Sequence, residues 1–136
     1  ADNFFDGIMT TALTEDELLV EARLPLLVGD TRFGFFEFNR RAGDYALAMA
    51  LVTYRLVDGV IAEPRVGLGG VEGRPRRIAE AEQALSGRPV AIETFRAAAD
   101  AAADVVDPLE DVQASAEFRR DLVHAVTQRA LERAAA

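Results

Sequence analysis

Asp58-Gly59, standing between two apolar runs, constrains this chain more than any other feature. An Asp-Gly pair supplies the left-handed backbone that a two-residue β-hairpin turn needs. Before it, residues 45–57 mix helix-favouring Ala46, Ala48 and Ala50 with strand-favouring Val52, Thr53, Tyr54 and Val57. After it, Val60 and Ile61 resume an apolar run at once. The turn decides between helix and strand. The spacing predicts a long strand, a tight reversal and a return strand through about Leu68. Pro64 cannot donate to a ladder, so an edge position or a bulge is expected there.

Two more strands are expected upstream. Residues 18–24 (Leu-Leu-Val-Glu-Ala-Arg-Leu) alternate in polarity, and Pro25 ends the run. Residues 26–32 contain Gly29 and Asp30 and read as a loop. Residues 33–38 are aromatic-rich around Glu37 and suit a second strand. Thr14-Glu-Asp-Glu17 has capping-box spacing, but the apolar run behind it does not hold a helical period. Residues 67–73 are dense in glycine without forming a dinucleotide fingerprint. The third glycine of that pattern would fall on Glu72, and Pro75 precedes any helix. Two readings stand for this stretch: close backbone packing of a strand, or backbone contact with a cofactor or partner subunit.

The second half changes period. Residues 78–85 read as a short amphipathic helix stopped at Ser86-Gly87, with Pro89 just beyond. Ile92, Phe95, Ala99, Ala102 and Val106 lie at helical spacing, ended by Asp107-Pro108. Residues 109–114 form a linker. Ser115 is the expected N-cap of a last helix whose apolar stripe is Phe118, Leu122, Val126 and Leu131. Strands first and helices afterwards predict an α+β fold. It is a two-layer sandwich: an antiparallel sheet of three to four strands with three helices packed on one face.

At 136 residues, half of them hydrophobic, the chain reads as a single domain with a real core. It has no cysteine and one histidine. That excludes an iron–sulfur cluster, a thiolate zinc site, a disulfide framework and a cysteine nucleophile within this chain. His124 lies in an alanine- and arginine-rich helical stretch and reads as a helix-surface or partly buried residue, not a catalytic one. No catalytic residue and no metal ligand is assigned. The net charge of −8 makes nucleic acid and anionic membranes poor partners. No apolar run is long enough to span a membrane, and no export signal is read at the N-terminus, so a cytoplasmic location is expected.

The candidate site is the loop at residues 39–44. Arg40, Arg41 and Asp44 stand there around a turn-permitting Gly43. Guanidinium groups are permanent charges with forked donors. Near a diphosphate or another anionic group one would anchor a ligand. The plain alternative is an Arg–Asp surface ion pair that closes the loop, worth about 0–1 kcal/mol. Arg74, Arg76 and Arg77 form a basic cluster that reads as a solvated rim or as a contact for a partner's carboxylates. Arg119 and Arg120 sit in the first turn of the last helix, against its dipole, so compensation from Asp111 or Asp121 is expected.

Five motifs occur in order along the chain: Phe4-Phe-Asp-Gly7, Asp16-Glu-Leu-Leu-Val-Glu-Ala-Arg-Leu-Pro25, Arg40-Arg-Ala-Gly-Asp-Tyr-Ala46, Val66-Gly-Leu-Gly-Gly-Val71 and Ala114-Ser-Ala-Glu-Phe-Arg-Arg120. With them, nearly the whole chain resembles the C-terminal domain of the FAD-binding (medium) subunit of molybdenum hydroxylases, the group of carbon monoxide dehydrogenase and xanthine dehydrogenase. The resemblance implies an oxidoreductase flavoprotein in which electrons pass from iron–sulfur clusters of a small subunit, fed by a molybdenum large subunit, to an external acceptor. It implies FAD in the complete subunit, with none bound to this chain alone, because the N-terminal FAD-binding region lies outside it. It brings the Arg40, Arg41 and Asp44 loop close to the flavin. A lysine often stands where Glu37 stands here, which removes a cationic role from that position. Arginine supplies all fifteen basic residues, which together with many alanines fits a GC-rich bacterial coding sequence. The alternative is a stand-alone interaction or oligomerisation module without cofactor.

Overall fold

The computed structural model describes residues 3–136. A small hairpin, β1 (Phe5–Gly7) with β2 (Thr10–Thr11), opens the chain. The main sheet follows as a four-stranded antiparallel meander of β3 (Arg32–Phe38), β4 (Ala48–Val57), β5 (Val60–Gly69) and β6 (Arg76–Arg77), in that spatial order. Three helices complete it: α1 (Ala79–Leu85), α2 (Ile92–Val105) and α3 (Ala116–Ala135). The expected α+β architecture is the one found.

The Asp58-Gly59 turn is as the pair dictates. Both residues have positive φ, 52° and 79°, and Val57 pairs with Val60 across them. The bulge expected at Pro64 is also present. The β4–β5 register slips between Thr53 and Arg55, and Glu63 beside the proline takes φ 51°. A bulge absorbs the ladder bond that proline cannot make.

One face of the sheet is buried. Ala48, Ala50, Val52 and Tyr54 of β4, with Ile61, Val66 and Leu68 of β5, turn inward under the helices. Helix α3 lies on β3 and β4, α1 lies against β5, and α2 packs on both of those helices. The layers are closest at Gly34, where a Cβ would run into the carbonyl oxygen of Ala130 and lie 2.8 Å from the nitrogen of Ala134. Glycine in β3, opposite alanines in α3, is what lets helix and strand backbones touch. Leu131 is fully buried beside that contact. The end of α3 also shields the edge strand: Arg133 donates to the carbonyl of Phe35 at 2.8 Å, and both Arg129 and Arg133 lie over the Phe36 ring. Each such cation–ring contact is worth about 0.5–1 kcal/mol at an exposed site.

Two readings, for residues 18–24 and for Phe118, need correcting, while the absence of a helix after Thr14-Glu-Asp-Glu17 is as expected. Residues 18–24 form no strand; the stretch from 12 to 30 is exposed throughout and carries no regular structure. Alternation prepares a strand, but a strand forms only against a partner. The capping-box residues make their hydrogen bond without a helix: the Thr14 N–H donates to Glu17 Oε2 at 2.8 Å, closing an isolated turn. Phe118 is 43% exposed and meets Phe38 edge-on at 6.2 Å, so it lies at the margin of the α3 stripe, outside the core. Ser115 does cap α3, accepting from the Phe118 N–H at 3.2 Å.

Candidate functional site

The loop between β3 and β4 is held by a polar network that begins at the first turn of α3. Arg119 is 3% exposed. Its Nη1 donates to the carbonyls of Leu47 and Gly70, each at 2.9 Å, and its Nη2 donates to Asp111 Oδ2 at 2.7 Å. The compensation expected for a cation at a helix N-terminus is therefore present, and it comes from Asp111. One guanidinium thus ties together the exit of the loop, the end of β5 and the segment before α3. Charge-assisted hydrogen bonds of this kind contribute about 1.5–3 kcal/mol each.

Asp111 extends the network. Its other oxygen accepts from the backbone N–H of Gln113 at 2.8 Å and of Ala114 at 3.0 Å. Those N–H donors, first that of Gln113, together with the Arg119 guanidinium hold its carboxyl below the ordinary value of 3.8, against a partial opposing effect of desolvation. The carbonyl of Gln113 in turn accepts from Arg40 Nη2 at 2.7 Å. Gly70 closes the arrangement. It takes φ 76°, and a Cβ there would lie 2.5 Å from the carbonyl oxygen of Ala46. Of the two readings for the glycine-dense stretch, close backbone packing is the one this contact supports.

The loop itself is a backbone turn. The Asp44 N–H donates to the carbonyl of Arg41 at 3.0 Å, and Gly43 takes φ 90°. The Arg–Asp ion pair offered as the plain reading does not close it. Arg40 is committed to Gln113, while Arg41 and the Asp44 carboxylate have no hydrogen-bond or ion-pair partner among the described residues. Tyr45, part of the same motif but not among the expected site residues, is 97% exposed beside them. The turn therefore presents a fixed positive charge, a carboxylate and an aromatic face to the outside.

The remaining candidates lie elsewhere. Arg76 pairs with Glu72 at 2.8 Å and donates to the carbonyl of Val105; Arg77 pairs with Glu82 at 2.7 Å. They tie β6 to the C-terminal end of α2 and to α1, and so act within the fold. Beside them, on the face of the sheet away from the helices, Phe35, Met49, Leu51, Gly67 and Gly69 line a groove of about 400 Å³ that Phe5 of the first hairpin also borders. His124 sits 3.2 Å from Asp100 and links α3 to α2. Among the described residues no cluster of three or more His, Cys, Asp or Glu is placed to hold a metal ion, and no helix is long and apolar enough to cross a membrane.

Comparison with known proteins adds a family. The family model described as the CO dehydrogenase flavoprotein C-terminal domain matches residues 34–134. The nicotine 6-hydroxylase medium subunit of Paenarthrobacter nicotinovorans is 34% identical over 136 residues, which are 100% of this chain and 47% of that protein. The xanthine dehydrogenase FAD-binding subunit of Escherichia coli O157:H7 is 28% identical over 139 residues, covering 99% of this chain and 47% of the relative. Among solved structures, carbon monoxide dehydrogenase from Hydrogenophaga pseudoflava superposes with a TM-score of 0.91 at 34% identity, over 98% of this chain and 46% of the other. The chain thus spans about half the length of the relatives it matches.

Proposed function

The chain belongs to the CO dehydrogenase flavoprotein C-terminal domain family, and from that premise we propose that it is the C-terminal part of the FAD subunit of a molybdenum hydroxylase, where it covers one side of the flavin and contributes subunit interface. The observation that carries this reading is the loop at residues 40–45. Its backbone is fixed from behind by Arg119, Asp111 and Gln113, yet the side chains of Arg41, Asp44 and Tyr45 are exposed and engage no partner among the described residues. Rigid support behind uncommitted polar groups is the arrangement a binding surface needs.

The donor set fits the ring end of a flavin. Arg41 would bring a permanent positive charge to a ring that becomes electron-rich on reduction, and Tyr45 a flat apolar face. The diphosphate end has no such fit. Among the described residues no glycine-rich strand-to-helix turn offers a row of N–H groups, and the net charge of −8 opposes a dianion. FAD, when bound, supplies the electron transfer between redox centres and acceptor; this chain's residues orient it, exclude water on one side and set the local charge. The partners in this reading are the subunit's own N-terminal FAD-binding region, an iron–sulfur small subunit and a molybdenum large subunit, and the place of action is the cytoplasm.

The exposed face of the sheet serves the same reading. Phe33, Phe35 and Leu51 are 67%, 41% and 53% exposed there, an apolar surface suited to contact with another body. Titration with FAD tests the proposal. The full-length subunit should bind one flavin and quench its fluorescence, while the 136-residue chain binds weakly or not at all. A full-length subunit that takes up no flavin contradicts the reading, and a tight stoichiometric complex with this chain alone contradicts the division of labour.

A further inference from the structure

We propose that Asp111 is a positioning residue for the flavin site: it holds the turn before α3 that props Arg40, and through that prop it sets where Arg41 and Tyr45 stand. The proposal rests on the reading of the 40–45 loop as the surface that meets a flavin.

The loop is anchored unevenly. Its neck is tied twice, by the Leu47 N–H to the carbonyl of Phe38 at 2.8 Å and by Arg119 to the carbonyl of Leu47 at 2.9 Å. Beyond the neck, the Asp44 N–H donates to the carbonyl of Arg41, a bond that stays within the loop. Among the described residues, one hydrogen bond alone joins residues 40–46 to another part of the chain. It runs from Arg40 Nη2 to the carbonyl of Gln113 at 2.7 Å. A loop held only at its neck swings about the neck, and a second point of support removes that freedom. Arg40 is that support. It acts as a strut, and the direction in which its neighbours Arg41 and Tyr45 face depends on where the Gln113 carbonyl stands.

Asp111 places that carbonyl. Residues 111–114 close into a turn in which the Asp111 N–H donates to the carbonyl of Ala114 at 3.2 Å. Asp111 Oδ1 accepts from the N–H groups of Gln113 and Ala114, and Oδ2 is held by Arg119. The Gln113 carbonyl and the Ala114 N–H belong to one planar trans peptide unit, so they point in opposite directions. Fixing the N–H on the Asp111 side therefore turns the carbonyl outward to Arg40. The segment is moored to the sheet in its turn, since the Leu109 N–H donates to the carbonyl of Val71 at 2.8 Å. The path from Asp111 to the loop is thus one peptide plane and one guanidinium.

Asp111→Ala and Asp111→Asn test this, together with Arg40→Ala, which removes the strut without touching Asp111. Asparagine keeps an acceptor oxygen for the two N–H groups, and alanine keeps none. In the 136-residue chain, NMR order parameters of residues 41–45 should fall below about 0.6 in Asp111→Ala and in Arg40→Ala, with those of β4 unchanged. Asp111→Asn should recover most of the loss. In the full-length subunit, Asp111→Ala should shift the FAD midpoint potential as Arg40→Ala does. The double variant should shift it no further than either single one, because both act through one strut. A loop that stays rigid in Asp111→Ala or in Arg40→Ala overturns the proposal. So do additive shifts, which would mean that Asp111 acts by its own charge. If Arg40→Ala and Arg41→Ala both keep the wild-type potential, the flavin reading falls, while a loop loosened by Asp111→Ala and recovered by Asp111→Asn still upholds Asp111 as the residue that positions it.

Discussion

Residues 18–24 and strand β4 carry the same kind of pattern and meet opposite fates. Both place an apolar residue at every second position. In β4 the inward set, Ala48, Ala50, Val52 and Tyr54, is buried almost completely beneath α3, and both edges of the strand are paired. In the upstream segment the corresponding set is bare and unpaired. The difference is not propensity. It is that β4 lies between a hairpin partner set by Asp58-Gly59 and a helix that can approach through Gly34, while the upstream segment has neither. Alternation states which side of a strand is to be covered; topology decides whether the cover is in the same chain.

The comparison breaks most visibly under substitution at the sheet–helix contact. Gly34→Val drives a side chain into the backbone of α3 and should cost about 3 kcal/mol or more, with Leu131→Ala close behind at about 2–5 kcal/mol. Val20→Ala in the same 136-residue chain should change stability by no more than about 0.5 kcal/mol. Urea unfolding of the three variants measures this. Equal losses at Val20 and Leu131 would show that the segment packs in solution after all.

Next in size is the buried guanidinium. Arg119→Ala leaves the carbonyls of Leu47 and Gly70 without their donor and should cost about 2–4 kcal/mol. Amide exchange in residues 39–47 should quicken more than in the strands. An unchanged loop would mean that it is held by its own turn alone.

Acid separates the regions in a third way. Asp30, beside Arg55, and Asp111, beside the N–H groups of Gln113 and Ala114, are both held below the ordinary 3.8. A carboxyl depressed in the folded state favours the fold fully above its unfolded value and loses that contribution as pH falls through the folded one. The urea midpoint should stay level from neutral pH down to that range and drop below it. The Asp30→Asn, Asp111→Asn double variant should start lower and fall less steeply; a parallel decline would assign acid sensitivity to other groups.

The smallest expected effect is at Tyr54, whose hydroxyl is buried with no hydrogen-bond partner among the described residues. Burial also raises its ionisation above the ordinary value of 10.0, partly opposed by the charge of Arg32. Tyr54→Phe should leave stability equal or raise it by up to about 1 kcal/mol, read from the same urea curves. A loss would reveal a partner for the hydroxyl, such as a bound water.

Local signals carried most of the fold. The Asp-Gly turn, the proline bulge, the Ser115 cap and the helix stops are each decided by one or two residues, and each was legible. What was not legible depended on distant parts. Thr14 and Glu17 form their hydrogen bond regardless of whether a helix follows. Arg40, Arg41 and Asp44 could be picked out by type, but the partner of Arg40 is Gln113, 73 positions away, and nothing in the spacing announces it. Arg119 was noticed as a cation in the wrong helical turn. That electrostatic misfit was the one available sign of the network it anchors.

The proposed function stands most directly on the charge that the 39–47 loop would bring to a flavin. The measurement is the midpoint potential of FAD in the full-length subunit, with Arg40→Ala and Arg41→Ala made separately. Arg41, uncommitted within the chain, should matter more than Arg40, which is tied to Gln113. Its removal should lower the potential by on the order of 30 mV, a tenfold change for a two-electron couple, while flavin content and reduction of the iron–sulfur clusters by substrate stay the same. Wild-type potential and turnover in both variants would make the loop an ordinary surface turn and contradict the account.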